Sequence, residues 1–380
     1  VSGCGTATTV SVQAGKSRPA ALPQDVMQAL RQVKVTVADE ADSVFEASFT
    51  TEPGYDAGGR PPFDPALFAP FTRIAVTAAL DGRPVVLMDG VVTRQRLVPS
   101  PGKGQATLVV EGSDLSAMMG LHQVSKEFPS QTPEGIVRTV LGAYGRYGVT
   151  PKVESSGAQA PSPQQRVPIQ NGTDLQWVRY LAGLYGFVFY LRPGTQPGQS
   201  EGYWGPPPRG GTPQPTLVVN QGPLTSVNRL EFGYDALAAT TVKGQVLNVG
   251  THQVVAVDVQ TSTRQPVLAA EPALTANGAD TRTTLLRPWG LDPATARSYA
   301  QGLVDLSTDD VAVCAGDLDS FRYGAVLQPR GTVGVRGAGF GYDGLYQVRS
   351  VTHTLDARSW RQAFRLAREG MGSTKSRLTE

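Results

Sequence analysis

Three histidines (His122, His252 and His353) and two cysteines (Cys4 and Cys314) are the residues best suited to nucleophilic or metal chemistry. Their separations give neither a Cys-x-x-Cys pair nor a His/Cys ligand set, so no zinc or redox motif is predicted. Cys314 lies in the apolar run Val311-Ala312-Val313-Cys314 and reads as a small core residue. His353 reads as a structural, hydrogen-bonded histidine. Val1-Ser2-Gly3-Cys4 superficially matches a lipobox. Only three residues precede Cys4, so it is expected to be a plain residue in a loose N-terminus. Asp39, Glu40 and Asp42 lack the remaining ligands and the glycine of a calcium loop, and predict a solvated turn. Asp309-Asp310 reads as a loop start, with a basic neighbour on another subunit as the alternative. Gly339-Phe340-Gly341-Tyr342-Asp343-Gly344 has the G-x-G-x-x-G spacing of a dinucleotide loop. The residues after it alternate as a strand and not a helix, so its glycines predict a hairpin turn. No Gly-x-Ser-x-Gly elbow, His-Glu-x-x-His motif or P-loop occurs. Carboxylate pairs for glycoside hydrolysis need only spatial proximity, and no spacing here favours one. No catalytic, cofactor-binding or metal-binding residue is predicted, and no cofactor.

The elements that would position these residues are mostly strands. Residues 1–30 read as an irregular lead-in, small and polar. In Val44-Phe45-Glu46-Ala47-Ser48-Phe49, alternation puts Phe45, Ala47 and Phe49 on one face. Further strands are predicted at 33–37, 73–79, 84–88, 91–98 and 105–111, with Asp81-Gly82 as a hairpin turn. The segment 51–70 reads as a Gly/Pro loop. At residue 132 the pattern becomes helical. Thr132, Pro133 and Glu134 form a start signal, and Ile136, Val137, Val140, Leu141 and Tyr144 share a face. A second helix starts at Thr173-Asp174, carries Trp177, Val178, Leu181, Leu184 and Tyr185, and stops at Gly186. The strand 187–191 follows, and 192–216 reads as an exposed Gly/Pro loop. Strands resume at 217–219, 224–234 and 238–260, and 261–291 reads as polar and irregular. A helix over 292–308 presents Ala296, Ala300, Leu303 and Leu306 on one side. Strands then run to Arg368, and 373–380 is a polar tail.

The 380 residues carry 34 Lys and Arg against 32 Asp and Glu, a net charge of +2. That argues against a main task of gripping nucleic acid through its phosphates. Charged residues are 17%, below the usual figure of about 25%, which suggests surface covered by partners. No run of 18 or more apolar residues predicts a membrane span.

An internal similarity links the two ends. Asp89-Gly90, a strand, a loop and a strand ending in Glu111-Gly112 match Asp343-Gly344, a strand, a loop and a strand ending in Glu369-Gly370. With the flanking strands, this suggests two related β-barrels with a helical domain inserted between them. The predicted fold class is α+β, mainly β. The predicted divisions are the lead-in 1–30, a first tube-like barrel 31–130, an inserted α/β domain 131–222, a second barrel 223–372 containing the helix, and the tail.

Pro329 to Gly372 contains Gly331-Thr332-Val333, Tyr342-Asp343-Gly344-Leu345-Tyr346-Gln347-Val348, Thr352-His353-Thr354-Leu355 and Phe364-Arg365-Leu366-Ala367-Arg368-Glu369-Gly370. This resembles the C-terminal part of phage late control gene D proteins, the baseplate hubs of contractile tails. Ser130-Gln131-Thr132-Pro133-Glu134-Gly135-Ile136-Val137 and Gln170-Asn171-Gly172-Thr173-Asp174-Leu175-Gln176-Trp177 resemble the helices of that family's inserted domain, and Tyr185-Gly186-Phe187-Val188-Phe189-Tyr190 its close. The N-terminal hub part of VgrG spikes is similar.

The resemblance implies a non-enzymatic homotrimer, a pseudo-six-fold ring joining the inner tube to a three-fold spike. Its implied partners are a separate spike protein, the inner tube protein, surrounding baseplate proteins, and tape measure or cargo in the lumen. Specific nucleic-acid binding and direct membrane insertion are not implied. Assembly in the bacterial cytoplasm and incorporation into a virion or injection particle are. The spike is expected as a separate chain, because no needle or lysozyme domain follows. The competing readings are a particle-associated peptidoglycan hydrolase, which needs a clustered acid pair or metal site, and a β-rich carbohydrate-binding module, against which the helical insertion argues.

Overall fold

A computed structural model describes residues 8–16, 18–39, 41–51, 65–99, 106–248, 250–287 and 290–374. Alternation explains its largest feature. Phe45, Ala47 and Phe49 are buried and Val44 is exposed, as period two requires. Val33, Val35 and Val37 are buried in the same way on the neighbouring strand. These strands belong to one mixed sheet of 13 strands. Its main path runs Val227–Tyr234, Ala312–Asp319, Trp360–Arg368, Gly344–Asp356, Leu30–Ala38, Val44–Thr51, Ala106–Asp114, Arg83–Pro99, Arg73–Leu80, Thr8–Gly15 and Ala20–Ala21. Thr332–Arg336 pairs beside Gly344–Asp356 and carries Gln214–Val218 parallel to it.

The seam between the two ends of the chain is the antiparallel pair Leu30–Ala38 with Gly344–Asp356. A 2.9 Å hydrogen bond between the Thr36 and Thr352 hydroxyls crosses it. Apolar packing crosses it too. Leu355 and Trp360, from the C-terminal half, join the core that holds Val35, Phe49 and Val76. A second core gathers Cys314, Leu318, Tyr346, Val348, Phe364 and Leu366. Each fully buried Val, Leu or Phe among them contributes about 1.5–3 kcal/mol. The chain is mainly β with helices set between strands, the predicted class.

Asp81-Gly82 is the predicted hairpin turn, with φ of 51° and 74° between paired Leu80 and Arg83. The strands expected at 84–88 and 91–98 are not separate. Arg83–Pro99 runs through Asp89-Gly90 as one strand. Glycine is required at 90 because a Cβ there would stand 2.1 Å from the Ser113 carbonyl oxygen.

Several predicted loops are structured. The lead-in is not irregular where it is described. Thr8–Gly15 pairs along the whole of Arg73–Leu80, and Gln24–Ala29 is helical. Val12 and Ala14 alternate into the core, a pattern hidden among small polar residues. The segment 192–216 is not an exposed loop. Its prolines and glycines flank Ser200–Gly205, a strand with buried Tyr203 and Trp204 between Val188–Pro193 and Val149–Val153. Within 261–291, Ala269–Pro272 and Arg282–Leu286 are strands and Ala273–Ala276 is a helical turn. Cys4, residues 52–64 of the first loop and residues 375–380 of the tail lie outside the described residues.

The helices start where their caps predict. Thr132 accepts from the Gly135 N–H, and Pro133–Gly142 follows. Thr173 and Gln176 form a reciprocal capping box for Asp174–Leu184. Ile136, Val137, Leu141, Val178, Leu181 and Trp204 close a third core. Thr173→Ala is expected to cost about 1 kcal/mol, read as a lower urea midpoint for the fluorescence of nearby Trp177 and Trp204.

The helix Pro293–Asp309 packs on the sheet formed by Thr240–Asn248, Gln253–Val259 and Arg282–Leu286. The face it buries is Ala296, Ala300 and Val304. Leu303 and Leu306, predicted on that face, are 43% and 37% exposed. Small residues decide the contact. Gly302 stands so close to Gly186 that a Cβ on it would be 2.6 Å from the Gly186 nitrogen.

Candidate functional site

Among the described residues, the three histidines and Cys314 are not gathered into one site. His122 is exposed, and His252 sits at φ 57° in the turn between Thr240–Asn248 and Gln253–Val259. Cys314 is fully buried, and burial pushes its thiol up to about 12. His353 is buried within the Gly344–Asp356 strand, where its Nδ1 accepts a 3.3 Å hydrogen bond from the Trp360 indole.

Desolvation holds His353 neutral and lowers its pKa to about 3. The unfolded chain binds its proton near the ordinary value of about 6.5. Between those values the unfolded state holds more protons, so stability falls as pH falls from 6.5 towards 3. His353→Gln keeps an acceptor for Trp360. Denaturant melts from pH 7 to 4 are expected to show a shallower loss in this variant.

The G-x-G-x-x-G segment connects the antiparallel strands Thr332–Arg336 and Gly344–Asp356, with φ of 103° at Gly339 and 128° at Gly344. Its carbonyl groups are fastened from inside. The fully buried Arg368 guanidinium donates to the oxygens of Gly341 at 2.7 Å and of Asp343 and Gly372 at 3.1 Å each. It also lies 4.3 Å from the Tyr346 ring centre. The segment leads into a strand, whereas a pyrophosphate loop opens a helix whose N-terminus holds the phosphates.

The carboxylates form structural joints. Asp39 is not in a solvated turn; it is 2% exposed. It accepts from Arg330 Nε at 3.1 Å and lies 3.7 Å from Arg349. Arg330 also donates to the Ala38 carbonyl at 2.8 Å and stacks 3.7 Å over the Tyr190 ring. Three parts of the chain meet there: the N-terminal sheet, the C-terminal strands and the region between them. Asp42 turns elsewhere, accepting from the Ser116 hydroxyl at 2.9 Å and from Arg179. Glu40 lies outside the described residues.

Asp309 and Asp310 find basic partners within the same chain, and Asp309 belongs to the helix and not to a loop. Asp309 accepts from Arg264 Nε at 2.8 Å and Nη2 at 2.6 Å, and from Arg209 at 3.0 Å. Arg209 also donates to Glu369 at 2.7 Å. Glu369 further accepts from the backbone N–H groups of Leu268 and Ala269. Arg264 reaches the Gly186 carbonyl at 2.7 Å. Asp310 accepts from Arg365 at 2.9 Å and lies 3.2 Å from Arg349.

A third joint sits in the N-terminal half. Arg73 grips Asp89 through two bonds of 2.7 and 2.9 Å and donates to the Tyr147 carbonyl at 2.6 Å. The Gly198 N–H closes the second Asp89 oxygen at 2.9 Å.

The Arg73–Asp89 and Arg264–Asp309 pairs are bidentate and buried, which suits rigid cross-bracing. Among the described residues, no group of three or more His, Cys, Asp or Glu could hold a metal ion. No helix among them is long and apolar enough to cross a membrane. The arginines of the joints went unread in the sequence. The signal was a charge set inside an apolar run, as in Val85-Val86-Leu87-Met88-Asp89 or Arg73-Ile74-Ala75-Val76. The internal similarity is a pair of antiparallel hairpins without shared chemistry. Glu111 pairs with exposed Arg96, whereas Glu369 is buried against Arg209.

No family model and no curated protein matches the sequence. Solved structures do match in fold. The 43 kDa tail protein of prophage MuSo2 from Shewanella oneidensis has a TM-score of 0.64 at 15% identity, covering 96% of this chain and 100% of that one. A tail protein from Neisseria meningitidis MC58 scores 0.60 at 15% identity, covering 96% and 98%. The E. coli c3393 protein scores 0.54 at 13% identity, covering 95% and 76%. That protein is described as a type VI secretion component structurally similar to T4 tail proteins gp27 and gp5. The chain has the fold of these tail and secretion-system proteins.

Proposed function

We propose that the chain is a structural baseplate hub of a contractile injection particle: a phage tail, a tailocin or an extracellular injection system. It is a homotrimer of pseudo-six-fold character that adapts an inner tube to a three-fold spike. Each half supplies one tube-like β-barrel, residues 31–130 and 223–372, with 131–222 inserted as the α/β domain. The spike, the inner tube protein and the surrounding baseplate proteins are separate partners, and the lumen passes tape measure or cargo. Assembly takes place in the bacterial cytoplasm. The role is non-enzymatic.

The observation that carries this reading is the likeness in fold, over nearly the whole of both chains, to a prophage tail protein and to a second bacterial tail protein. Two features agree with it. The buried ionic joints brace the parts of the chain against one another, as a force-bearing adaptor needs. Uncovered apolar side chains, Leu303 and Leu306 on the helix and Leu237 at 67% exposure, suit contacts between subunits. Light scattering of the chain with its spike protein is the test. The mass attributable to this chain should be about 121 kDa, three times 40.2 kDa. A 40.2 kDa monomer beside free spike would refute the hub role.

A further inference from the structure

A groove of about 610 Å³ opens beside the Asp174–Leu184 helix, within the size range of small-ligand sites. Tyr180 stands on this helix with 56% exposure, its ring stacked 5.5 Å from Trp177 at 22°. Trp177 stacks in turn on buried Phe128 at 6.5 Å and 9°. Tyr180 is thus a flat aromatic surface held from behind and open in front. The Trp177 indole N–H is shielded from water and has no acceptor among the described residues. Half-buried Arg166 lines the same groove, and no carboxylate among the described residues pairs with it. Gln131 and Gln159 add amide donors and acceptors, and no Asp or Glu lines the groove.

We propose that this groove binds an oligosaccharide carrying a carboxylate. An exposed ring backed by a second ring offers a rigid apolar face for the C–H side of a pyranose. The amides match hydroxyl groups in both directions. The unpaired guanidinium presents a planar fork to a carboxylate. No Asp or Glu lines the groove, so the carboxylate pair that most glycosidases use is not found in its lining. A proline-rich peptide also docks on aromatic grooves. It would leave Arg166 unused, and the acidic sugar fits the charge better. The inference goes beyond the hub reading, and glycan binding and oligomeric mass can each fail without the other.

Calorimetric titration of the full chain tests it, with trigalacturonate and 3′-sialyllactose as acidic probes. Maltotriose and lactose are the neutral counterparts, and decaproline the rival. At least one acidic sugar should bind at least about tenfold tighter than its neutral counterpart. Arg166→Gln should abolish that preference, and Tyr180→Ala should weaken binding about tenfold. Both side chains are exposed or half-buried, so circular-dichroism melts of the variants should match the parent. The inference is overturned if no acidic sugar binds at about 10 mM, beyond the weak end of specific affinity. Equal binding of neutral sugars, binding of decaproline alone, or indifference to both substitutions would overturn it as well.

Discussion

Asp309→Ala should destabilise the chain by roughly 3–5 kcal/mol, because it removes a buried carboxylate that two buried guanidinium groups share. Of the two, Arg209 loses one of two carboxylates and keeps Glu369, while Arg264 loses its carboxylate partner and keeps only the Gly186 carbonyl. Their side chains are 1% and 4% exposed, so water cannot take over the lost bonds. The joint ties the end of the Pro293–Asp309 helix to the turn at Gly186 and to the end of the last long strand. The loss should therefore appear as early melting of the contact between this helix and the Gly186 turn. Guanidinium denaturation checks it. Pairing Asp309→Ala with Arg264→Met should cost less than the sum of the two single changes, since the second removes the charge that the first leaves unpaired. Strict additivity would mean that the ion pair is energetically silent.

Trp204→Ala should have an effect of similar size, about 3–5 kcal/mol, by a different route. Trp204 is fully buried, packs edge-on against Phe187 at 4.8 Å and donates to the Val178 carbonyl at 3.2 Å. Its removal opens a cavity in the core that holds Ile136, Leu141, Val178 and Leu181. The pairing of Leu30–Ala38 with Gly344–Asp356 is untouched. Hydrogen exchange should show lost protection over residues 133–205 and retained protection along that seam. Uniform loss across the chain would contradict the separate cores described above.

Much of this architecture was legible in the sequence, for definite reasons. Strand alternation at Val44–Phe49 and the caps at Thr132 and Thr173 are local signals, and the structure obeys them. Composition misled where it averaged over too long a window. Ser200–Gly205 is a buried aromatic strand inside a Gly/Pro-rich segment, and Thr8–Gly15 is a sheet strand inside a small-residue lead-in. The helix stripe failed at Leu303 and Leu306 because close approach of Gly302 to Gly186 sets which face is buried. The ionic joints were the least legible part. Arg330 lies 291 residues from Asp39 and Arg209 lies 160 from Glu369, so no local pattern links them. What remained readable was a single charge in an apolar run.

A cryo-EM reconstruction of the assembled particle tests the central claim most directly. The hub reading predicts three copies of this chain at the junction of inner tube and spike. Their paired barrels should form one ring, with six similar positions towards the tube and three towards the spike. Density for this chain elsewhere in the particle, or a copy number other than three at that junction, would contradict it.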